Sequence, residues 1–292
     1  VELRQLQTFQ AVVRHGTVTD AALTLDLAPS SVSAQIRALE NSLGVPLFER
    51  TARGMRLTGA GERLLGWSRR LLQQAEQARR EVAGLPAELR LGALQTIAAT
   101  YVPAVLARLT KRRPDLRVSV RAEASRDILL ADVIAGRLAA ALLLDTGDAL
   151  GDLGFPAPPE PLTFLDIDSV PLALVAAPEH PLAGRVRVMS EDLRGERLLV
   201  NVPGCSFRMA ADKIIGPGTE RIETGAVSIM QAWAEKGLGI SLLPEFAVST
   251  AVKSGKLTRL ALSAPELSLR LVWRGDEEDS PGLRELLYAA SA

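Results

Sequence analysis

Residues 30–50 read SSVSAQIRALENSLGVPLFER. The segment opens on small hydroxyl residues, carries an apolar stripe of Val32, Ile36, Leu39 and Leu43, and stops at Gly44. Spacings of four, three and four describe a helix with one buried face. Pro29 suits its first turn, where the missing N–H would be unpaired anyway, and Pro46 prevents continuation. Past the stop, Phe48-Glu49-Arg50 and Arg53-Gly54-Met55-Arg56 read as a small hairpin around Gly54. The helix therefore has little bulk at its exposed start and arginines waiting beyond its end.

Upstream, Leu6, Phe9 and Val13 mark a first amphipathic helix ending near Gly16, and Thr17 or Thr19 can cap a short second one holding Ala21, Ala22 and Leu25. Helix, helix, tight turn, helix and hairpin is the order of a winged helix-turn-helix over residues 1–58. In that motif the last helix enters the DNA major groove by its N-terminal residues. Ser30, Ser31, Ser33 and Ala34 are small enough to let the backbone approach DNA. Arg37 has the reach for a phosphate or base edge, and Arg50, Arg53 and Arg56 sit where a wing meets flanking backbone. The segment holds six arginines against five acidic residues, so on periodicity alone a protein-interaction bundle remains open.

After Thr58, a plausible N-cap, Leu64, Trp67, Leu71, Ala75, Ala78, Val82 and Leu85 step by three or four through a long polar helix. Such a stripe at 59–87 suits a dimerisation seam, since a half-site reader gains from two-fold pairing; packing on its own domain is the alternative. From residue 88 the pattern turns to alternating strands and helices. LRLGAL (89–94) and LRVSVRAE (116–123) read as strands, a helix is expected from about 98 to 112, and LAAALLLD (138–145) is apolar on both faces, as a buried strand should be. Ser125 is expected to cap the RDILLADVIAGR helix. Later segments repeat the scheme, which implies two hinged α/β lobes: one of about 88–163 and 266–292, the other of about 164–265. Such lobes bind a small ligand between them.

The 292 residues carry 34 basic and 34 acidic side chains, with 12 arginines against 9 acids in residues 1–90. Of the basic residues 29 are arginine, which suits phosphate and guanine contacts but equally fits a general compositional bias. No apolar run approaches the ~20 residues of a membrane helix, no signal-peptide pattern opens the chain, and a cytoplasmic location is expected. The single Cys205 excludes an internal disulfide framework. His15 and His180 lack partners at metal-ligand spacing, and no phosphate loop or nucleophile elbow supports an enzyme. No cofactor, metal site or catalytic residue is expected. A transport solute-binding protein would share the lobes but have no use for residues 1–85.

The chain resembles the LysR-type transcriptional regulators from end to end. The resemblance rests on residues 3–65, above all Ser33-x-Gln35-Ile36-x-x-Leu39-Glu40, LGVPLFER (43–50) and LTGAGE (57–62), and on GLGISLLP (237–244) far downstream. Ala28-Pro29-Ser30-Ser31 and Ala34 depart from the residues common in the family at candidate base-reading positions, so the operator is not expected to match that of relatives. The resemblance implies an α/β chain with an N-terminal winged helix-turn-helix, a long linker helix and a two-lobed, periplasmic-binding-protein-like effector domain. Its implied partners are double-stranded promoter DNA, a second copy or more of itself, RNA polymerase and a small-molecule effector.

By similarity the effector would meet Leu94, Gln95, Thr96 and Ile97, then Gly204, Cys205, Ser206, Phe207 and Arg208, then Ala226, Val227 and Ser228, with Asp145 and Thr146 across the hinge. Three helix N-termini with Arg208 and the hydroxyls of Thr96, Ser206 and Ser228 favour an anion, which makes a small carboxylate the leading effector class. Alternatively these hydroxyls are ordinary N-caps and Arg208 pairs with a neighbouring acid. Cys205 at a helix start reads either as a thiol of lowered pKa able to sense oxidants or as a pocket-lining thiol.

Overall fold

The computed structural model of the chain describes residues 1–51, 54–84, 87–275 and 282–291, with the side chains of all but Arg50, Gln73 and Glu81. It divides into two units, Val1–Pro86 and Ala87–Ala292.

In the first unit, α1 (Leu3–His15) ends on Gly16 in the left-handed region, φ 73°. Thr17 caps α2 (Val18–Leu25) by accepting the Asp20 N–H at 3.1 Å. The tight turn then passes through Asp26 at φ 53°, a backbone state that a short polar side chain tolerates. Next come α3 (Pro29–Leu43) and an antiparallel hairpin of β1 (Phe48–Thr51) and β2 (Gly54–Leu57), pairing Phe48 with Leu57 and Glu49 with Arg56. Leu6, Phe9, Val12, Ala21, Ala22, Val32, Ile36, Leu39, Leu47 and Phe48 form its core, with the Phe9 and Phe48 rings 5.3 Å apart. The Glu40 carboxylate accepts the Leu47 N–H at 2.7 Å, pinning the entry to the hairpin against α3. Met55 N–H donates to Gly16 O at 2.7 Å and holds the wing on the α1–α2 corner.

Thr58 Oγ1 accepts the Gly61 N–H at 3.1 Å at the start of α4 (Gly59–Val82). Ala60, Leu64, Leu65 and Leu72 pack on the core of this unit, and Gln10 Nε2 donates to the buried Ser68 hydroxyl at 3.1 Å. The early part of the long helix is thus an integral piece of the winged domain.

The second unit holds two five-stranded sheets. Lobe I is built from β3 (Glu88–Leu94), β4 (Arg117–Glu123), β5 (Ala140–Asp145), β6 (Thr163–Val170) and β12 (Leu267–Trp273), in the order β4-β3-β5-β12-β6. The strands of β3, β4 and β5 run parallel, while β12 is antiparallel to both β5 and β6. Every residue of β5 is buried. Helix α7 (Arg126–Ile134) packs on this sheet and α6 (Val102–Arg112) pairs with α11 (Leu283–Ser291). Lobe II holds β7 (Leu172–Ala176), β8 (Arg197–Val200), β9 (Glu220–Glu223), β10 (Ile240–Pro244) and β11 (Thr258–Leu260), in the order β11-β7-β10-β8-β9. Its helices are α8 (Ser206–Ile215), α9 (Val227–Glu235) and α10 (Glu245–Lys253). One apolar cluster runs through both lobes, taking Leu150, Leu153 and Phe155 together with Phe207, Ala210 and Ala211.

Three features differ from the sequence reading. The helix expected from about 98 to 112 is two helices, α5 (Gln95–Thr100) and α6, because Pro103 lies in the first turn of α6 and cannot supply an interior N–H. Helix α10 was not anticipated. Strand β6, expected to open lobe II, completes the edge of the lobe I sheet against β12, so the first crossing between lobes falls at Pro171.

A Cβ at Gly61 would lie 2.2 Å from Leu47 O and 2.7 Å from Leu57 Cδ2. Gly61→Ala is therefore expected to overpack the start of α4 at a cost of about 1–3 kcal/mol, seen as a lowered thermal unfolding midpoint of the winged unit. An unchanged midpoint would show that this packing yields freely.

Candidate DNA-reading face and effector cleft

On α3 the buried side chains Val32, Ile36 and Leu39 turn one face inward. Ser30, Ser31, Ala34 and Arg37 lie exposed on the remainder and Ser33 is half-buried. Gln35 is held from behind, since Thr8 Oγ1 donates to its Oε1 at 2.6 Å. The N-cap, Ala28, provides no side-chain bond to the first turn, but Pro29 has no N–H and the Ser31 and Val32 amides donate to Ala28 O at 2.9 and 3.2 Å, so the first turn offers an external acceptor the Ser30 amide. On the wing, Arg56 pairs with Glu49 at 2.7 Å, both side chains being more than half exposed. Such a surface pair is weak enough to exchange for a phosphate. The side chain of Arg50 and the whole of Arg53 lie outside the described residues.

Of the α4 stripe, Leu64 faces the core of its own unit and Ala75 is half-buried. Trp67, Leu71, Ala78 and Val82 are exposed, Val82 to 90%. Leu85 lies outside the described residues.

The segments expected to hold an effector follow β3 and β5 and open α8 and α9; α7 packs on β3 and β5, and α8 on β5. Gln95 and Ser228 are exposed there, and Thr96, Thr146, Arg208 and Val227 are half-buried. Asp145, Cys205, Ser206 and Phe207 are instead buried. None of the three hydroxyl residues is an N-cap: the caps are Leu94, Cys205 and Ala226, and none gives a side-chain cap bond. The Ser206 hydroxyl donates across the lobes to Leu144 O at 2.9 Å, and Arg126 N–H donates to Gly204 O at 3.1 Å. The lobes are thus clasped at this point.

Arg208 is committed within lobe II. Its Nη1 donates to Glu223 Oε2 at 2.9 Å and to Asn201 O at 3.0 Å, and its Nε lies 3.7 Å from Asp212. The pairing alternative describes it, and its charge is not free for an anion. Asp145 is likewise engaged throughout. Its Oδ1 accepts the N–H groups of Thr146 at 2.9 Å and Leu153 at 3.0 Å; its Oδ2 accepts Gly151 N–H at 2.8 Å and meets Arg126 Nη1 at 2.6 Å. With its lone pairs used, it organises the loop rather than offering a ligand contact.

Two buried arginines surround Asp145. Arg270 bonds Asp166 at 2.7 Å, Ala149 O at 2.7 Å and Gly147 O, and lies over the Phe164 ring. Arg126 lies over the Phe155 ring, 4.7 Å from its centroid. The sequence reading missed both, although each leaves a signal. Arg270 is a charge inside the otherwise apolar LSLRLVW strand, and Arg126 places a cation at a helix start, against the helix dipole.

Cys205 is 3% exposed. Burial pushes its thiol up from the ordinary value, and the amides of Arg208 and Phe207 with the Asn201 side chain offset this only in part. Desolvation outweighs the helix start, so of the two readings of Cys205 the one with a lowered pKa does not hold.

A concavity of about 440 Å³ is lined in part by Tyr101, Arg108, Asp168 and Phe246. Tyr101 donates to Asp168, and burial with that carboxylate pushes the phenol up to about 12.

Along the chain a winged helix-turn-helix is followed by two α/β lobes. Residues 3–62 match the family model of the bacterial regulatory helix-turn-helix protein, lysR family, and residues 83–291 match the LysR substrate binding domain. The chain belongs to the LysR family of transcriptional regulators, with a DNA-binding and an effector-binding domain. Among relatives, the "Probable hydrogen peroxide-inducible genes activator" of Streptomyces viridosporus is 34% identical over 300 residues, covering 98% of this chain and 92% of that protein. The regulator GltR of Bacillus subtilis is 27% identical, covering 98% and 95%. Full-length LysG of Corynebacterium glutamicum with bound effector Arg shares the fold at TM-score 0.67 and 20% identity, covering 100% and 97%. ArgP of Mycobacterium tuberculosis does so at 0.67 and 21%, covering 98% and 95%. Among the described residues no helix is long and apolar enough to cross a membrane.

Asp145→Ala strips a buried carboxylate from Arg126 and from three N–H groups, so a loss of about 3–5 kcal/mol is expected in denaturant unfolding of the second unit. A change below 1 kcal/mol, on the order of a surface substitution, would deny Asp145 that role. Cys205 is expected to resist a thiol reagent at neutral pH in the folded protein and to react at once in denaturant; equal rates would show an accessible thiolate.

Proposed function

We propose that the protein binds promoter DNA as a two-fold assembly and that a small molecule in the cleft resets this binding. The observation that carries the reading is the exposed, small-residue first turn of α3 with Arg37 one turn on, within a chain whose family matches cover both domains. In this reading Ser30, Ser31, Ser33 and Ala34 line the approach to the major groove, with the serine hydroxyls and the Ser30 amide on phosphate. Arg37 reaches a base edge or phosphate, and Arg50, Arg53 and Arg56 hold the backbone beside the wing. Helix α4 pairs two copies through Trp67, Leu71, Ala75, Ala78 and Val82, with Leu64 anchoring it to the winged core. Exposed apolar side chains along a helix of about 36 Å support this.

The effector reading keeps Gln95, Thr96, Thr146, Val227 and Ser228 as contacts. Ser206, Phe207 and Cys205 form the apolar and hydroxyl wall behind them, and Arg208 and Asp145 act as the frame. A small carboxylate or other anion is the proposed class, and RNA polymerase the proposed partner at the promoter. Peroxide induction, named for two relatives, would act through a reactive thiol. The buried Cys205 speaks for a bound effector instead.

The test is a footprint of the full chain on DNA upstream of its own gene, over a salt series and with pooled small carboxylates or peroxide. Protection of two half-sites is expected, changing with one carboxylate pool and unchanged by peroxide. Arg37→Ala should weaken binding and reduce the salt slope by about 1 if it holds a phosphate, with unfolding unaffected. Unaltered binding by the variant would remove Arg37 from the interface, and absence of protection at low salt would overturn the DNA reading.

A further inference from the structure

The concavity of about 440 Å³ in the second unit takes no part in the effector reading, and it shares no lining residue with the segments 94–97, 145–146, 204–208 and 226–228. Its walls come from both lobes. Tyr101 at the α5–α6 junction, Arg108 on α6, Ile167 and Asp168 on β6 and Ala290 on α11 belong to lobe I, and Phe246 on α10 belongs to lobe II. The volume falls in the usual range of small-molecule sites. Its charges set it apart. One cation, Arg108, and one anion, Asp168, line the same space, and among the described residues neither forms an ion pair, with the other or elsewhere.

Both groups are held by neutral partners. Arg108 Nε donates to Ala289 O at 2.7 Å near the end of α11, which fixes the plane of the guanidinium. Its two terminal nitrogens have no protein partner among the described residues, and such a pair of donors matches the two oxygens of a carboxylate. Asp168 accepts the Tyr101 hydroxyl on Oδ2 and the Ser169 N–H on Oδ1, the latter at 2.8 Å. The Tyr101 phenol, pushed up to about 12, stays a donor at neutral pH. Each carboxylate oxygen then retains a lone pair that an ammonium can fill. Much of the remaining wall is apolar, with the Tyr101 and Phe246 rings meeting edge to face at 5.9 Å beside Ile167 and Ala290.

A simple anion in this space would meet the charge of Asp168, and a simple amine that of Arg108, each repelled at short range. A molecule carrying both a carboxylate and an ammonium satisfies the two at once, and an apolar side chain covers the rings. We propose that this concavity binds a free α-amino acid with an apolar side chain, its carboxylate on the terminal nitrogens of Arg108 and its ammonium on Asp168. The site is separate from the cleft and stands whether or not the cleft takes an effector. Because Phe246 belongs to one lobe and Tyr101 to the other, the amino acid favours the lobe arrangement that closes these walls on it.

The test follows binding to the full-length protein by calorimetry, with L-leucine and L-phenylalanine as probes. Each is compared with its analogue lacking the ammonium (isocaproate, hydrocinnamate) and its analogue lacking the carboxylate (isoamylamine, phenethylamine). At least one amino acid is expected to bind saturably, and both of its analogues about tenfold or more weakly, the loss of one charge-assisted pair. Asp168→Asn keeps an acceptor for Tyr101 and removes the charge, so it should weaken the amino acid about tenfold without weakening the analogue that lacks the ammonium. Arg108→Gln should likewise erase the preference for the amino acid over the amine. A residue with only a structural role would move all three ligands alike. No saturable binding of either amino acid at millimolar concentration, analogues that bind as well as the amino acid, or an affinity unchanged in either variant overturns the proposal. Should a variant fail to fold, amide exchange of the parent protein decides. Saturating amino acid should slow exchange over 100–108 and 166–169, and unchanged exchange at both segments overturns the proposal as well.

Discussion

The carboxylate of Asp145 is the point on which the effector domain turns. It stands at the end of a wholly buried strand and draws three backbone N–H groups of residues 146–153 onto its oxygens. That folds the following loop back over the sheet and places Phe155 over Arg126. Arg270, close to the same carboxylate, reaches Asp166 and ties the two antiparallel strands of lobe I together. A buried charge survives only where such pairing and hydrogen bonding surround it. The start of α7, the end of β5 and the middle of β12 are thereby held in one arrangement.

From that arrangement the clasp between lobes follows. The neighbouring Leu144 carbonyl receives the Ser206 hydroxyl, and the amide of Arg126 reaches Gly204. Lys213 adds a bond to Asp152 O from α8. Few polar contacts and a shared apolar cluster join the lobes, the kind of junction that small changes in bonding can shift between discrete packings. The winged unit is organised differently, by ordinary apolar packing around Phe9 and Phe48. There the polar bonds, such as Glu40 to the Leu47 amide, serve to orient the hairpin.

Much of the winged unit was legible in the chain. Its helices have regular apolar spacing, its ends carry Gly16, Thr17, Gly44 and Thr58, and each of these acts locally. The long helix was legible in extent, but its division between a core-facing start and an exposed remainder was not, because a single stripe of spacing cannot say which side meets which surface. In the second unit, Pro103 splits a helix that periodicity alone runs together. The short α10 escaped because EFAVSTAVK mixes β-branched and apolar residues in so few turns. At the cleft, the segments at 94–97, 204–208 and 226–228 were legible as helix starts; the state of their side chains was not.

The sequence by itself determined the order of helices and strands, the two-domain plan and the small exposed face of α3, since spacing, caps and turn residues act over a few positions along the chain. Only the tertiary structure decided which charges are free. Asp145 looked available and is bonded, the alternatives left open for Arg208 and Cys205 resolve to a paired guanidinium and a desolvated thiol, and Arg126 looked like one helical residue among others and is fully buried. Charge, hydrogen bonding and burial at these residues depend on groups far along the chain as well as near, such as Arg126 and Arg270 for Asp145 and Glu223 for Arg208, and no local pattern carries that information.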